Sequence, residues 1–139
     1  MSPPLSPPLP LSVEHLPGSG SVSRRALFLH GMLGRGNNLR SLARRFVDAR
    51  PGWDALLLDL RGHGASPKGT PNPSLAAAAG DVLPLCLGRP QVTVLIGHSF
   101  GGKVALEVAR LLHQGDPSTA GALAHVVTLD TNPGVRRPD

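Results

Sequence analysis

The sequence predicts an α/β fold with a three-layer, mostly parallel sheet, and the order of its segments is the main reason. Four short apolar runs alternate with three segments of helical spacing, as expected where right-handed crossovers join parallel strands. The runs are nearly continuous in apolar residues, which is typical of strands covered on both faces. The predicted strands are Ala26–His30, Ala55–Leu60, Val92–Ile96 and Ala124–Leu129.

Two of the helical segments are amphipathic. Residues 37–50 place apolar side chains on a single stripe, and Pro51–Gly52 ends the predicted helix. Residues 103–113 repeat the pattern, so we predict a second amphipathic helix there. The stripe residues are Leu39, Leu42, Phe46 and Val47 in the first helix and Val104, Val108, Leu111 and Leu112 in the other.

The helix between these two is predicted from local signals. Ser74 is a residue type that caps helix N-termini, so we expect a helix from there to about Leu87. Pro84 lies inside this range. Because proline cannot donate the helical hydrogen bond, we expect it to end or kink this helix early.

Length and composition favour one domain preceded by a tail. The chain has 139 residues, of which 40% are hydrophobic, and this is enough for a single core. Residues 1–20 are rich in Pro, Ser and Gly, so we predict a flexible tail there and a folded region over residues 21–139. No apolar run approaches the roughly 20 residues of a membrane span. The single cysteine, Cys86, excludes an internal disulfide framework.

The charge pattern argues against nucleic acid as a partner. The formal net charge is +5, and a basic chain is common among nucleic-acid-binding proteins. The arginines are dispersed, however, and three Phe and one Trp are too few for base-stacking platforms. Prolines interrupt the leucines near the N-terminus, so we predict no secretory signal and expect a cytoplasmic or organellar location, mitochondrial or plastid.

The most informative motif is Gly97–His98–Ser99–Phe100–Gly101, which fits the pattern G-x-S-x-G. It lies between a β-branched predicted strand and a predicted helix, where this pattern forms a sharp turn that exposes the serine hydroxyl. Glycines at both ends let the two backbones pass closely, and the helix N-terminus offers unpaired N–H groups to an oxyanion. Ser99 is therefore the candidate catalytic serine.

Two further loops fall at the same predicted edge of the sheet. An oxyanion hole needs a second backbone N–H, and the loop that begins at His30 offers that of Met32 to pair with the N–H of Phe100. We expect His30 to fix its loop through a backbone hydrogen bond rather than to act in catalysis. Residues 59–66 have glycines suited to tight turns, so we expect this loop, including His63, to be structural.

These blocks resemble the α/β-hydrolase superfamily from Ala26 to Asp130, and they are similar to its small YbfF-type esterases and their abhydrolase-domain relatives. The resemblance implies cleavage of esters or thioesters through an acyl-enzyme, with Ser99 as nucleophile and the N–H groups of Met32 and Phe100 as oxyanion-hole donors. The matching blocks are His30-Gly31-Met32-Leu33-Gly34, Asn38-Leu39 with Leu42-Ala43-Arg44, Leu58 to Ser66, and Gly97 to Lys103.

The resemblance also implies an acid and a histidine after Ser99. Asp130 ends the last predicted strand at the expected edge and is a possible acid, with loop or helix capping as the alternative. His113 lies at the end of a predicted helix and His125 at the start of a predicted strand, so neither matches the late histidine loop of the family. We therefore expect a partial α/β-hydrolase domain over residues 21–139, truncated after the strand that follows the nucleophile helix.

Two functions remain open on the sequence alone. One is a truncated serine hydrolase of esterase or thioesterase type, with a small-molecule substrate and neither cofactor nor metal. The other is a non-catalytic, hydrolase-like fragment with a binding or regulatory role, whose last strand would offer an exposed edge for self-association or for another chain. Nucleotide-binding domains are set aside because neither of their glycine-rich patterns occurs.

Overall fold

The computed structural model describes residues 7–69, 74–115 and 122–131, and a five-stranded sheet forms its centre. The strands are β1 (Val13–Leu16), β2 (Arg24–Leu29), β3 (Trp53–Leu58), β4 (Gln91–His98) and β5 (His125–Leu129). Their order across the sheet is β1-β3-β2-β4-β5, and β1 alone runs antiparallel to its neighbour among these five. The predicted α/β architecture with a mostly parallel sheet is confirmed.

Helices cover both faces of this sheet and complete the three layers. They are α1 (Arg40–Asp48), which a 3₁₀ turn over Gly36–Leu39 precedes, α2 (Leu75–Cys86) and α3 (Phe100–Gln114). α1 packs on one face with a cluster that includes Phe28 and Leu57, whereas α2 and α3 pack together on the other face against Leu27 and Leu58. Within the described ranges, no helix is long and apolar enough to cross a membrane.

Strand β1 lies inside the segment that composition predicted as a flexible tail, so that prediction is wrong for residues 13–16. Leu16 is fully buried against the core. His15 Nε2 lies 2.7 Å from Asp54 Oδ2, and Arg25 donates two hydrogen bonds to the same carboxylate. Burial opposes ionisation of Asp54, but these hydrogen bonds outweigh it, so the pKa of Asp54 lies below its ordinary value. The buried side chain of Leu16 and the hydrogen bonds to Asp54 therefore stabilise β1 in the sheet, although the composition of residues 1–20 does not predict a strand.

The helices follow the sequence predictions with two corrections. Ser74 caps α2 as predicted, since its hydroxyl accepts a hydrogen bond from the N–H of Ala77 at 3.0 Å. Pro84 does not end α2 early, because the helix continues to Cys86. On α1, Leu42 is exposed, and Ala43 occupies the buried position instead.

The strand register brings the informative loops to one edge of the sheet. Leu29 lies opposite Leu58 on one side and Gly97 on the other, and His98 lies opposite Leu129. Four parallel strands therefore end nearly level, and the loops that follow them meet where open α/β sheets have their binding sites.

Candidate active site

A sharp turn between β4 and α3, residues 97–102, carries Ser99 at its apex and is called the elbow below. Ser99 has φ 52° and ψ −117°, a backbone region that residues with side chains rarely occupy and that costs about 1–3 kcal/mol. The buried strand before it and the helix after it hold this conformation. The predicted strained turn at the G-x-S-x-G motif is confirmed.

Close packing requires glycine at two positions of the elbow. A Cβ atom on Gly97 would lie 2.5 Å from the backbone nitrogen of Gly102, and one on Gly101 would lie 2.5 Å from the carbonyl oxygen of His30. Both collisions are with backbone, so rotation of a side chain cannot relieve them. The conformation of the elbow is thus maintained by close backbone contacts, both between its own residues and with the end of β2.

Backbone hydrogen bonds join the elbow to the end of β5. The N–H of Ser99 donates to the carbonyl oxygen of Leu129 at 2.8 Å. The carbonyl oxygen of Ser99 accepts from the N–H of Gly102 and from the hydroxyl of Thr131, both at 2.9 Å. These bonds bring Asp130, between Leu129 and Thr131, to the same edge as Ser99.

The second element of the site is the turn after β2, residues 31–34, called the 31–34 turn. The N–H of Gly34 donates to the carbonyl oxygen of Gly31 at 3.0 Å and closes the turn. Leu33 has a positive φ of 62°, and its side chain is 96% exposed. Hydrogen bonds rather than side-chain packing therefore maintain this turn.

His30 supplies one of those bonds, as predicted. Its Nδ1 lies 2.7 Å from the carbonyl oxygen of Gly31, and its Nε2 lies 2.9 Å from the nitrogen of Leu60. A carbonyl only accepts and an N–H only donates, so the ring is neutral with its proton on Nδ1. Burial lowers the pKa of His30 below its ordinary value, which favours this neutral form.

The same bond orients the backbone of Met32, a residue that lines the cleft described below. The carbonyl of Gly31 and the N–H of Met32 belong to one planar peptide unit. Fixing that carbonyl with His30 therefore fixes the direction of the Met32 N–H.

The third element is the loop over residues 59–66, and it is structural as predicted. Asp59 accepts hydrogen bonds from the N–H groups of Gly36 and Ala65, at 2.8 and 3.0 Å. Arg61 and Asp81 form a buried pair with two hydrogen bonds, at 2.5 and 2.7 Å. This pair ties the loop to α2.

The elbow, the 31–34 turn and the end of β5 surround a cleft of about 710 Å³. It brings together all four residues that the sequence singled out: Met32, Ser99, Phe100 and Asp130. In the part of the chain that the structure describes, neither the N–H of Met32 nor that of Phe100 donates to another residue. Within those ranges, both amides are therefore left without an acceptor from the protein.

Sequence reasoning missed three residues of this cleft, Lys103, Thr128 and Thr131. Lys103 is the fourth residue after Ser99, so one helical turn brings it back to the side of the elbow. That spacing is a signal that could have identified it. Thr131 has no comparable signal, because its position depends on the bond from its hydroxyl to Ser99.

A second pocket of about 440 Å³ shares Met32 and Ser99 with the cleft. Its further lining residues include His30, Leu33 and His98. Ser99 and Met32 therefore contribute to the lining of two cavities.

The two histidines that follow Ser99 in the chain lie at the surface. His113 lies exposed in the last turn of α3, and His125 lies exposed at the start of β5, opposite Val94. Across residues 7–69, 74–115 and 122–131, no histidine lines the cleft that Ser99 and Asp130 share. No group of three potential metal ligands occurs within these same ranges.

Comparison with known proteins agrees with this geometry. A family described as "alpha/beta hydrolase fold" matches residues 27–137. The sn-1-specific diacylglycerol lipase ABHD11 of Mus musculus is 37% identical over 131 residues, covering 91% of this chain and 40% of the relative.

Two solved esterases are similar in structure. One from Thermogutta terrifontis is 28% identical with a TM-score of 0.73, covering 92% of this chain and 43% of that protein. A marine microorganism esterase is 30% identical with a TM-score of 0.60, covering 73% and 37%. The chain thus spans less than half the length of these relatives, and within that span it belongs to the α/β-hydrolase family.

Proposed function

We propose that the cleft at Ser99 is the acylation site of a serine hydrolase that cleaves carboxylic esters or thioesters through an acyl-enzyme. The observation that carries this proposal is the strained elbow, with Met32 and Phe100 lining the same cleft as the serine and neither backbone N–H donating to a residue of the described ranges. This is the arrangement that acyl transfer requires, since charge develops on the carbonyl oxygen during attack.

In the proposed reaction, the hydroxyl oxygen of Ser99 attacks the acyl carbonyl carbon of the substrate. The two amides hold the resulting oxyanion, and a well-placed donor of this kind contributes about 3–4 kcal/mol. The N-terminus of α3 adds a favourable dipole. The alcohol or thiol then leaves, and water cleaves the acyl-serine ester.

Asp130 is the proposed acid of the site. It follows β5 at the same sheet edge, lines the cleft and has a positive φ of 49°. In serine hydrolases the acid orients a histidine, which accepts the proton of the serine. Because no described histidine lines this cleft, we assign the base to no residue of the described ranges.

An ester is the substrate class that the comparisons favour. The mouse relative is named as a lipase of diacylglycerol, and both solved relatives are esterases. These names share the carboxylic ester bond and differ in the groups attached to it. We therefore propose the bond type and leave the acyl chain and the alcohol open.

Reaction with a fluorophosphonate tests the proposal directly. The purified chain is incubated with the probe, and mass spectrometry locates the modification. We expect labelling on the peptide that contains Ser99 and loss of labelling in Ser99→Ala. Ser41→Ala is the matched control, since Ser41 is an exposed serine on α1, away from the cleft.

The acid is tested in the same assay. Asp130→Asn should slow labelling, while Asp48→Asn, an exposed carboxylate at the end of α1, should leave the rate unchanged. A folded chain that never reacts at Ser99 would contradict the acyl-enzyme proposal.

A binding role without catalysis is the second candidate. The observation that favours it is the cleft itself, which no histidine lines among the residues that the structure describes. Under this alternative the chain binds an ester without forming a covalent adduct. Protection of Met32 and Phe100 amides by an ester analogue, together with no labelling of Ser99, would support it over hydrolysis.

A further inference from the structure

The 31–34 turn has a second histidine beside it that the proposed chemistry does not use. His63, in the loop after β3, lies with Nε2 3.2 Å from the backbone nitrogen of Leu33. Its Nδ1 lies 2.9 Å from the carbonyl oxygen of Arg61. Since that carbonyl must accept and the N–H of Leu33 must donate, the ring is neutral and carries its proton on Nδ1.

The hydrogen bond from Leu33 supports a strained backbone. Leu33 is the third residue of the turn that Gly31 and Gly34 close, and a positive φ at that position normally requires glycine or asparagine. A rotation of the Met32–Leu33 peptide would return Leu33 to negative φ. That rotation would also swing its N–H away from His63.

Side-chain packing does not stabilise the positive φ of Leu33. The side chain of Leu33 is 96% exposed and that of Met32 is 62% exposed, so neither side chain anchors the turn in the core. Within the described residues, the bonds recorded for the turn are those of Gly31, Leu33 and Gly34. His30 hydrogen-bonds to the Gly31–Met32 peptide unit, and His63 hydrogen-bonds to the Met32–Leu33 peptide unit.

We propose that neutral His63 is a positioning residue for the site: by accepting the hydrogen bond of Leu33, it holds the 31–34 turn in the strained form that presents the Met32 amide to the cleft. The proposal rests on the function proposed above. Protonation of His63 places a second N–H against that of Leu33, which removes the acceptor and releases the turn.

Several titratable groups surround His63 and enter the design of the test. The ring of His30 lies 5.0 Å from that of His63, centroid to centroid. Asp59 acts on His30 from the start of the same loop, and His98 faces Gly31 from the end of β4. Arg61 is paired with buried Asp81. Every variant below retains these groups, so differences between variants report on residue 63.

The test begins with backbone amides, because they can be measured in a chain with no activity. Nuclear magnetic resonance gives the hydrogen-exchange rate of the Leu33 amide in the wild type, in His63→Leu and in His63→Gln. We expect exchange to rise about tenfold in His63→Leu, as for loss of one hydrogen bond. His63→Gln keeps an acceptor near the position of Nε2 and should stay close to the wild type.

The pH profile separates this role from a general effect on stability. As the pH is lowered until His63 is protonated, the ratio of the wild-type exchange rate to that of His63→Gln should rise. Glutamine does not titrate, so any response that both proteins share, including the pH dependence of amide exchange itself, does not arise from residue 63. A ratio that stays constant with pH would overturn the proposal.

Removing the strain provides the second arm. In Leu33→Gly a positive φ costs little, so the turn no longer needs His63. The Met32 amide shift should move in His63→Leu relative to the wild type, but the double variant should match Leu33→Gly alone. If the double variant instead shows the same displacement, His63 acts by another route and the proposal fails.

Labelling of Ser99 links the amides to the chemistry. We expect labelling to slow about tenfold in His63→Leu and to recover both in His63→Gln and in the double variant with Leu33→Gly. An unchanged rate in His63→Leu would overturn the positioning role. Absence of labelling in the wild type would count against the proposed function alone, since the amide measurements decide the His63 bond independently.

Discussion

The elbow and the 31–34 turn face the same cleft, but different forces hold them. Both contain a residue with side chain at positive φ, Ser99 at 52° and Leu33 at 62°. In the elbow, glycines allow backbone to pack directly on backbone. In the 31–34 turn, imidazoles of two histidines hold consecutive peptide units through hydrogen bonds. The elbow should therefore be sensitive to added atoms, and the turn to the loss or protonation of its partners.

The largest effect is expected from a single methyl group in the elbow. Gly101→Ala would place a Cβ atom 2.5 Å from the carbonyl oxygen of His30, so we expect the free energy of unfolding to fall by more than about 4 kcal/mol, or folding to fail. Gly80→Ala is the control, because nothing lies within 4 Å of its Cβ position in α2. That variant should gain about 0.5–1 kcal/mol. Urea unfolding measures both, and a Gly101→Ala protein of nearly wild-type stability would refute the steric account.

The next effect concerns the ion pair between Arg61 and Asp81, which holds the loop that carries His63. Asp81→Asn leaves Arg61 buried without its carboxylate, and we expect a loss of about 3 kcal/mol in urea unfolding. The double variant Arg61→Met with Asp81→Leu should recover part of this loss, since neither buried charge remains. Asp48→Asn, at an exposed carboxylate, should stay within about 0.5 kcal/mol of the wild type. Equal losses in Asp81→Asn and the double variant would show that the charge is unimportant.

Relief of strain should distinguish the two positive-φ residues. Ser99→Gly abolishes labelling but should raise the free energy of unfolding by about 1–3 kcal/mol, because a strongly strained backbone becomes ordinary for glycine. Leu33→Gly should raise it by about 1 kcal/mol or less, since the left-handed helical region is less costly. Thermal unfolding of both variants gives the comparison. A larger gain in Leu33→Gly would place the greater strain in the 31–34 turn.

The smallest effect is a pH dependence that belongs to the turn alone. Burial holds the pKa of His30 below its ordinary value of about 6.5. As pH falls through that value, the unfolded chain binds a proton that the folded chain does not, so stability falls. His30→Asn does not titrate and should lose this part of the slope between about pH 7.5 and about pH 5.5, although its stability is lower throughout. Parallel slopes for the two proteins would contradict the assignment to His30.

Local patterns predict most of the fold and four of the residues that line the candidate site. Strands β2 to β5 are predictable because runs such as Ala26–His30 are almost entirely apolar. Ser99 was recognised because its motif stands between a strand and a helix. β1 was missed, since prolines dominate the composition around Val13–Leu16 and its anchor, Asp54, is distant in the chain. No local pattern predicts the hydrogen bond between His63 and Leu33 either, because these residues are 30 positions apart in the chain.

By itself, the sequence determined the alternation of strands and helices, the shared edge of the loops and the glycine spacing of the elbow. Each of these features depends on residues within a few positions of one another in the chain, so the spacing of apolar residues and of glycines is enough to predict it. The tertiary structure decided which carbonyl and which N–H each histidine binds, that Pro84 stays within α2 and that Leu16 joins the core. Those outcomes depend on atoms that approach one another only after the sheet has formed.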